Sequence, residues 1–510
     1  MPRYAAIDIG SNSIRMLAAD TAPGRPMTVL EADRVITRLG ASVFRSGAVS
    51  EEAMDAACDV LGRMAAAYQR HHVDGVRVVA TAAVRDASNR LEFIERAAGA
   101  AGAPVEIISG QEEARLIHLG VQGKWPHPQH RVLIIDIGGG SAEIILSDHG
   151  RIAEAFSRPL GAVRLTGVFL DKDPPEEIQL HQMNEFIDER LANVVRRLGR
   201  VRPDRVIGTS ATAAALVCAV NRIPRARREE ADRRRATLPQ VRSLFHELAG
   251  RKREARAKIT GIGPRRAEII VAGVGVMQRI METFSLPSLY HSTAGVREGI
   301  VADLAVRRVG RELSRLSRDQ RLVLEQVARK FSVSLKHAKS VAEYAHELFE
   351  QLRPLHGLGP YYGKLLEAAC YLYDAGHYIS DTAHHKHSFY IVENSDLPGF
   401  TDQERRLIAM LCRYHRKSLP NSRHADYEAM LADERRVVLR LIPLLRLADA
   451  LDRGKEQRVR RLDVIQRNGS VALVVRSEND VDLEVWAAKR VGPVFDQTYG
   501  TQLLVSRSRK

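Results

Sequence analysis

Two short glycine-rich segments, each placed directly after a run of apolar residues, carry the residues best suited to chemistry. The first, Ala5 to Ser13, reads Ala-Ala-Ile-Asp-Ile-Gly-Ser-Asn-Ser, and the second, Val132 to Glu143, reads Val-Leu-Ile-Ile-Asp-Ile-Gly-Gly-Gly-Ser-Ala-Glu. Glycine lets the backbone approach an oxyanion closely, and clustered backbone N–H groups form an anion-binding concavity. Two such loops in one chain predict a duplicated domain that binds phosphate in the cleft between the copies.

Each loop by itself is equally consistent with a tight turn, and the presence of both is what favours phosphate binding. Serine and asparagine add hydrogen-bond donors, and an aspartate at a strand end can hold Mg²⁺ or order the loop. The predicted phosphate-binding residues are Asp8, Gly10, Ser11, Asn12 and Ser13 in the first loop and Gly138, Gly139, Gly140 and Ser141 in the second.

Asp136 and Glu143 flank the triple glycine of the second loop. The turn is expected to bring both carboxylates toward one cleft, where Mg²⁺ would prefer carboxylates together with water and substrate phosphate oxygens. The alternative is that Glu143 is a solvent-facing strand residue.

The bulk composition predicts a soluble, multidomain protein with an affinity for polyanions. The chain has 510 residues, with 77 Lys and Arg against 62 Asp and Glu, for a formal net charge of +15. That length predicts two to four domains, and the positive charge favours nucleic acid, anionic lipid or polyphosphate without choosing among them.

Neither a signal peptide nor a membrane-spanning run is evident in the sequence. The four cysteines are scattered without metal-type spacing, as Cys58, Cys218, Cys370 and Cys412. Free thiols of this kind are typical of a reducing compartment. We therefore expect a cytoplasmic protein that does not associate with a membrane.

The pattern of elements divides the chain into four parts. Strands and helices alternate over 1–124 and again over 125–305, which predicts sheets covered by helices. The segment 313–453 is almost entirely helical and holds most of the histidines, and 454–510 alternates like short strands at Val471–Val475 and Val481–Val485.

A strongly basic stretch, 222–266, lies inside the second part. It is consistent either with a solvated helical face whose arginines pair with nearby acids or with an electrostatic track for a polyanion.

The ordered set of motifs resembles the exopolyphosphatase / guanosine pentaphosphate phosphohydrolase family, in its long form, within the superfamily of actin, sugar kinases and heat-shock ATPases. The matching segments begin at Ala6, Thr81, Ile108, Asp136, Gly208 and Gly295, with further matches at His387 and Asn394. This resemblance implies two ribonuclease-H-like α/β domains, 1–124 and 125–305. They are followed by an all-α HD-like domain, 313–453, and a small C-terminal α+β module, 454–510.

The resemblance also implies roles for individual residues. Glu113 matches the catalytic base that deprotonates the attacking water, and Arg85 matches an arginine at the cleft that binds phosphate oxygens. Asp136 and Glu143 become ligands of Mg²⁺, with Mn²⁺ as an alternative. Further phosphate contacts are implied for Gly208, Thr209, Ser210, Thr212 and Arg297.

Each of these roles has a structural alternative. Arg85 is also consistent with a surface arginine, and the small residues 208–212 with close helix–strand packing. Glu112 is interpreted as a helix N-terminal acid favoured by the helix dipole. Ala211 stands where some members of the family have glycine.

The helical part resembles the HD-type phosphohydrolase fold but lacks one of its metal ligands. His337 and Asp449 fit the outer positions, whereas the central pair is Tyr373-Asp374, so the expected histidine is replaced by a phenol. Phenol is a poor substitute for imidazole at a divalent metal. We interpret this domain as a degenerate relative used for substrate binding or dimerisation; compensation by neighbouring histidines is the alternative, from His377, His384, His385, His387 and His415.

These observations together predict a Mg²⁺-dependent exopolyphosphatase, and the resemblance to the long members of the family implies a homodimer. The nearest alternative substrate is guanosine pentaphosphate, with guanosine tetraphosphate as a related ligand. A sugar-kinase-like phosphotransferase is disfavoured by Glu113. A noncatalytic regulator that binds nucleic acid or nucleotide is disfavoured by the acidic cleft.

Overall fold

The computed structural model describes residues 1–21, 25–199, 202–308, 315–467 and 469–508. The chain divides into two compact units, Met1–Arg308 and Val309–Lys510. The predicted start of the helical domain, Leu313, lies outside the described residues. Within the described part of the chain, no helix combines the length and apolar character needed to cross a bilayer.

The first unit opens with a five-stranded sheet of order β3-β2-β1-β4-β5. Its elements are β1 (Arg3–Ile9), β2 (Ile14–Asp20), β3 (Thr28–Val35), α1 (Leu39–Ser46), α2 (Glu51–Arg70), β4 (Gly75–Ala80), α3 (Ala82–Asp86), α4 (Arg90–Ala101), β5 (Val105–Ile107) and α5 (Gly110–Lys124). Strand β1 is antiparallel to β2 and parallel to β4. Its apolar run is buried on both faces, as expected for a sheet covered by helices.

A second, six-stranded sheet repeats this arrangement, with order β10-β11-β9-β6-β7-β8. Its elements are β6 (Arg131–Ile137), β7 (Ala142–Asp148), β8 (Arg151–Arg158), α6 (Ala162–Phe169), α7 (Glu177–Leu198), β9 (Arg205–Thr209), α8 (Ser210–Val220), a 3-10 helix (Arg225–Ala231), β10 (Arg235–Thr237), α9 (Leu238–Ala249), α10 (Arg253–Arg256), α11 (Pro264–Ala267), α12 (Ile270–Thr283), β11 (Ser288–His291) and α13 (Val296–Arg308). Strand β6 is antiparallel to β7 and parallel to β9, as β1 is to β2 and β4.

The two sheets exchange helices. Helix α5 follows the first sheet in the chain but packs against β7 and β8, and α13 follows the second sheet but packs against β1 and β2. The two helices cross closely because both carry glycine at the contact: a Cβ on Gly299 would lie 1.8 Å from the Leu116 carbonyl oxygen, and one on Gly120 would lie 2.2 Å from that of Gly295. This crossing fixes α5, which carries Glu113.

The second unit is a helical domain followed by a small sheet module. Its helices are α14 (Arg318–Lys330), α15 (Leu335–Gln351), α16 (Arg353–His356), α17 (Tyr361–Leu372), a 3-10 helix (Ala375–Tyr378), α18 (His384–Glu393), α19 (Asp402–Tyr414), α20 (Ala425–Glu428) and α21 (Ala432–Ala450). The module comprises β12 (Arg461–Arg467), β13 (Ser470–Arg476), α22 (Asp482–Lys489), α23 (Gly492–Tyr499) and β14 (Gln502–Ser508), with strand order β12-β13-β14. One continuous apolar core joins the helices to the module.

The predicted strand at Val481–Val485 is wrong. Residues from Asp482 onward form α22. Val481, Val485 and Ala488 are buried, whereas Leu483 is 50% exposed, which is the spacing of a helix face rather than of a strand. The short alternation of apolar and acidic residues fits both periods, and packing against the helical core selects the helix.

Candidate active site

The two glycine-rich loops are the turns of two matching hairpins, β1–β2 and β6–β7. Each turn is closed by the same backbone hydrogen bond, with Gly10 N–H donating to the Ser13 carbonyl (3.2 Å) and Gly138 N–H donating to that of Ser141 (3.0 Å). The loops face each other closely, since a Cβ on Gly139 would lie 3.0 Å from the Ser11 Cβ. The middle glycine therefore permits contact between the loops.

Between the loops lies a polar cleft. Its lining includes, from the predicted set, Asp8, Gly10, Ser11, Asn12, Ser13, Glu113, Asp136, Gly138, Gly139, Gly140, Ser141, Thr209, Ser210 and Arg297. Four predicted residues are not part of this lining: Arg85, Glu143, Gly208 and Thr212.

Strand pairing brings the acidic side chains together. Asp136 lies directly opposite Glu143 across β6 and β7, and side chains at such positions are about 5 Å apart at Cβ. Asp8 lies opposite Arg15 in the other hairpin. Glu143 is 1% exposed and accepts a hydrogen bond from Ser157 Oγ at 2.7 Å, so it is not a solvent-facing strand residue.

The buried carboxylates resist ionisation. Burial raises the pKa of Asp136 to about 7, and burial together with the charge of Asp136 raises the pKa of Glu143 to about 7. Burial also raises the pKa of Asp8. For Glu113, burial and then the charge of Glu143 raise the pKa well above its usual value. This concentration of buried acids is the kind of site that a divalent cation stabilises.

Glu113 and its neighbour Glu112 have different surroundings, although both lie in the first turn of α5. Glu113 faces the cleft, 3.8 Å from Arg85 Nη1, and its Oε2 has no hydrogen-bond partner among the described residues. Glu112 accepts hydrogen bonds from Arg115 Nε at 2.7 Å and from Arg77 at 3.1 Å. Although burial opposes ionisation, these two cations lower the pKa of Glu112.

The hydroxyl groups of the third predicted loop donate to the protein. Ser210 Oγ and Thr212 Oγ1 both donate to the Ile137 carbonyl, at 2.9 and 2.8 Å, and Thr209 Oγ1 donates to the carbonyl of Ala294. Ser210 and Thr212 thereby brace the end of β6 at the β6–β7 turn, whereas Thr209 holds the segment before α13. Ser210 does so with a φ of 72°, a left-handed conformation that is strained for serine.

Two family models match this chain. The Ppx/GppA phosphatase family matches residues 17–308, and domain III of the Ppx/GppA phosphatases matches residues 320–485. The chain belongs to the Ppx/GppA phosphatase family. The predicted resemblance and the predicted enzyme class, a hydrolase of phosphoric anhydrides, are confirmed.

Similar proteins support the same placement along most of the chain. A guanosine-5′-triphosphate,3′-diphosphate pyrophosphatase of Aeromonas hydrophila is 29% identical over 451 residues, covering 88% of this chain and 87% of the relative. The exopolyphosphatase of Cytophaga hutchinsonii has 29% identity and a TM-score of 0.55, covering 60% of this chain and 98% of that one. The PPX-GPPA enzyme of Aquifex aeolicus has 30% identity and a TM-score of 0.52, covering 59% and 99%. The predicted two-domain α/β fold with a C-terminal helical domain is confirmed.

Arginines gather at the cleft, and of these sequence reasoning missed Arg15 and Arg34, whereas Arg228 and Arg266 lie in the predicted basic stretch. Arg15, Arg228 and Arg297 line the cleft. Burial, followed by the charges of Arg15 and Arg266, lowers the pKa of Arg34 to about 8. Burial and the charge of Arg15 lower the pKa of Arg266 to about 9. Arg34 Nε is buried and has no hydrogen-bond partner within the described parts of the chain.

The basic stretch 222–266 supports both of its interpretations, at different residues. Arg228 and Arg266 lie in the cleft cluster. Others form surface ion pairs, such as Arg227 with Glu230 at 2.7 Å and Arg251 with Glu247 at 2.8 Å. The run of basic residues indicated the cluster from sequence, but only the fold distinguishes the arginines at the cleft from those that form surface ion pairs.

In the helical domain, hydrogen bonds join the side chains at the position where the HD-type resemblance implies a metal. His337 Nε2 lies 2.7 Å from the Tyr373 hydroxyl, which donates to Asp449 at 2.7 Å, and His337 Nδ1 lies 2.7 Å from Asp452. Although burial opposes it, hydrogen bonding to Asp449 and Asp452 raises the pKa of His337 to about 9. His337 and Tyr373, together with Asp449 and Asp452, therefore form one hydrogen-bond network.

Proposed function

We propose that this protein is a divalent-cation-dependent exopolyphosphatase that releases terminal orthophosphate from inorganic polyphosphate. The observation that carries the proposal is that buried acids and arginines line the same cleft. The acids are Asp8, Glu113 and Asp136, and the arginines are Arg15, Arg228 and Arg297. A chain of phosphates with a cation at its end complements both kinds of charge.

The arginines that line the cleft favour a long polyanion as the substrate. Neighbouring guanidinium groups that lower each other's pKa are stabilised by an anion placed among them. Each bound phosphate of the chain then adds an electrostatic contribution to the binding free energy. Guanidinium groups also bind phosphate oxygens in bidentate fashion. Arg34 lies near these arginines, and its Nε has no hydrogen-bond partner among the described residues.

The buried acids of the cleft are suited to bind Mg²⁺, with Mn²⁺ as the alternative ion. Asp136 and Glu143 would bind the ion, with Asp8 nearby, although Glu143 is not part of the described cleft lining. All three carboxylates are buried and have raised pKa values, which a bound cation would offset. The bound ion would neutralise charge on the terminal phosphoryl group. Carboxylate oxygens are the ligands that Mg²⁺ prefers.

Glu113 is the residue we assign as general base. Its orphaned Oε2 faces the cleft, and a base with a raised pKa is well suited to accept a proton from water near neutral pH. Arg85, 3.8 Å away, steadies the carboxylate, and its Nη1 is itself held by the Ile108 carbonyl at 2.6 Å. Phosphoryl transfer then needs only positioning and charge neutralisation.

The assay that tests this proposal measures orthophosphate release with Mg²⁺ from long-chain polyphosphate and from guanosine pentaphosphate in parallel. Faster release from polyphosphate supports the proposal. Glu113→Gln should abolish release yet still bind polyphosphate, whereas Glu95→Gln, at an exposed position on α4, should behave as wild type. Retained turnover in Glu113→Gln would overturn the assignment of the base, and no release from either substrate would support a binding-only regulator.

Hydrolysis of the 5′ γ-phosphate of guanosine pentaphosphate is the second candidate. It is favoured by the Aeromonas relative, whose similarity extends over most of this chain. Against it, the described residues that line the cleft include no Trp, Tyr or Phe on which a guanine base could stack. Faster release from the nucleotide would leave Glu113, Asp136 and Glu143 in the same roles. Homodimerisation and a cytoplasmic location stay predictions.

A further inference from the structure

Four side chains of the helical domain, separate from the His337 network, direct donor atoms toward one another. Asp374 and His377 follow α17, His384 begins α18, and His415 follows α19. One donor atom from each of Asp374, His377 and His384 lies within 4.8 Å of the others. His384 Nε2 is 3.2 Å from His415 Nε2, and His377 Nε2 is 3.5 Å from Asp374 Oδ1.

Each of the three imidazoles has an oxygen beside its Nδ1. His415 Nδ1 lies 2.8 Å from the Cys412 carbonyl, His384 Nδ1 lies 3.2 Å from the Asp381 carbonyl, and His377 Nδ1 lies 2.6 Å from the Asp381 carboxylate. These oxygens only accept hydrogen bonds, so they favour the tautomer with the proton on Nδ1 and a lone pair on Nε2; at His384 the donor Arg416 competes with this arrangement. Metal-binding histidines are oriented by the same kind of partner.

The spacing of the His384 and His415 lone pairs matches that of two ligands of one metal ion. Two nitrogens facing each other at 3.2 Å repel unless a proton or cation lies between them. Ligands about 2.0–2.1 Å from a tetrahedral zinc ion lie about 3.3 Å from one another. Several imidazoles with one carboxylate form a donor set that selects zinc-like transition metals over Mg²⁺.

We propose that Asp374, His377, His384 and His415 bind one divalent transition-metal ion with the coordination preferences of zinc. The ion would join the segment after α17 to α18 and α19, in addition to the hydrogen bond that Gly376 N–H donates to Ser388 Oγ at 2.8 Å. This site uses neither His337 nor Asp449, and it is independent of the phosphate chemistry proposed for the first unit.

Two basic side chains lie beside the cluster, and their contacts with its residues compete with metal binding. Arg416 Nη1 lies 3.1 Å from His384 Nδ1 and 3.3 Å from its Nε2, and Lys455 Nζ lies 3.4 Å from Asp374 Oδ2. Without a metal, Arg416 can donate to Nδ1 of His384, which then donates from Nε2 to His415. Metal binding has to displace Arg416, so Arg416→Gln should tighten it.

The test titrates the full chain, stripped of metal by a chelator, with Zn²⁺ in competition with a chromophoric chelator. Wild type and His387→Ala, a control on the same helix outside the cluster, should bind one more equivalent than the His377→Ala/His384→Ala double variant. Any zinc bound in the acidic cleft is common to all three proteins and cancels in the comparison. Arg416→Gln should bind this equivalent several-fold more tightly than wild type.

Equal stoichiometry and affinity in wild type and the double variant would overturn the proposal, as would Arg416→Gln without effect. If the double variant fails to fold, His377→Ala alone keeps the test decisive, because His377 is exposed. Loss of one ligand should weaken zinc binding at least tenfold. Co²⁺ in place of Zn²⁺ should give visible absorption bands in wild type that His377→Ala alters.

Discussion

The β1–β2 and β6–β7 hairpins share one backbone design and differ in the charge of a single partner. Both carry aspartate at the same place before the turn, and both turns are closed by the same hydrogen bond. The residue opposite that aspartate is Arg15 in the first hairpin and Glu143 in the second. The first hairpin therefore presents a balanced pair and the second presents two acids.

This difference assigns complementary tasks to the two copies of one motif. Arg15 stabilises the charge of Asp8 and, across the cleft, that of Asp136, which limits the rise of both pKa values. The balanced hairpin suits phosphate, and the acidic hairpin suits a cation.

The largest expected effect comes from neutralising the acidic hairpin. Asp136→Asn should lower kcat for phosphate release by about a thousandfold or more, since removing one preorganised charge at a transition state costs about 10²–10³ and a cation ligand is lost as well. Steady-state phosphate release at saturating Mg²⁺ checks this. Activity within tenfold of wild type would show that the acidic pair does not hold the cation.

Arg15→Gln should act on the other hairpin and mainly on binding. We expect KM for long-chain polyphosphate to rise about tenfold, because a guanidinium hydrogen bond to phosphate contributes about 1.5–3 kcal/mol. The effect should decrease at high salt. Arg45→Gln, at an exposed position at the end of α1, is the matched control. A fall in kcat with unchanged KM would contradict the division of tasks.

Contact between the hairpins predicts unequal effects of two neighbouring glycine substitutions. Gly139→Ala should destabilise the protein by about 1–3 kcal/mol, since the new methyl group is forced against Ser11. Gly138→Ala should be mild, because its nearest neighbour would be the Ser141 carbonyl at 3.4 Å. Chemical denaturation of both variants checks the difference, and equal losses would argue against close loop contact.

The raised pKa values predict a pH-dependent effect of Mg²⁺. Asp136 and Glu143 titrate near 7 when folded and near 4 when unfolded, so the folded state holds more protons in that interval. The stability of the metal-free protein should therefore fall as pH rises from about 4 to about 7. Mg²⁺ replaces those protons, so its stabilising effect should grow over the same interval.

Thermal unfolding with and without Mg²⁺ at about pH 5.5 and about pH 8 measures this smaller effect. Wild type should show the larger Mg²⁺-induced rise in unfolding temperature at the higher pH. The Asp136→Asn/Glu143→Gln variant should show nearly none at either pH. A rise of equal size at both pH values would mean that the cation binds elsewhere.

Local sequence determined the hairpins and the acids they carry. Apolar strand, aspartate and glycine turn are contiguous features, and the register of the short hairpin pairs Asp136 with Glu143 on one face of the sheet. The same applies to the first turn of α5, where Ser109 caps the helix and accepts a hydrogen bond from the Glu112 N–H at 3.1 Å. Such features need no distant partner.

Tertiary structure decided everything that depends on residues far apart in the chain. The exchange of α5 and α13 between the sheets, the gathering of Arg34 with Arg266, and the helix at Asp482–Lys489 follow from packing of segments that local patterns cannot relate. A charge run does not reveal which arginines turn inward, and a short alternating segment fits two periods equally. Those choices follow from burial, which only the assembled fold defines.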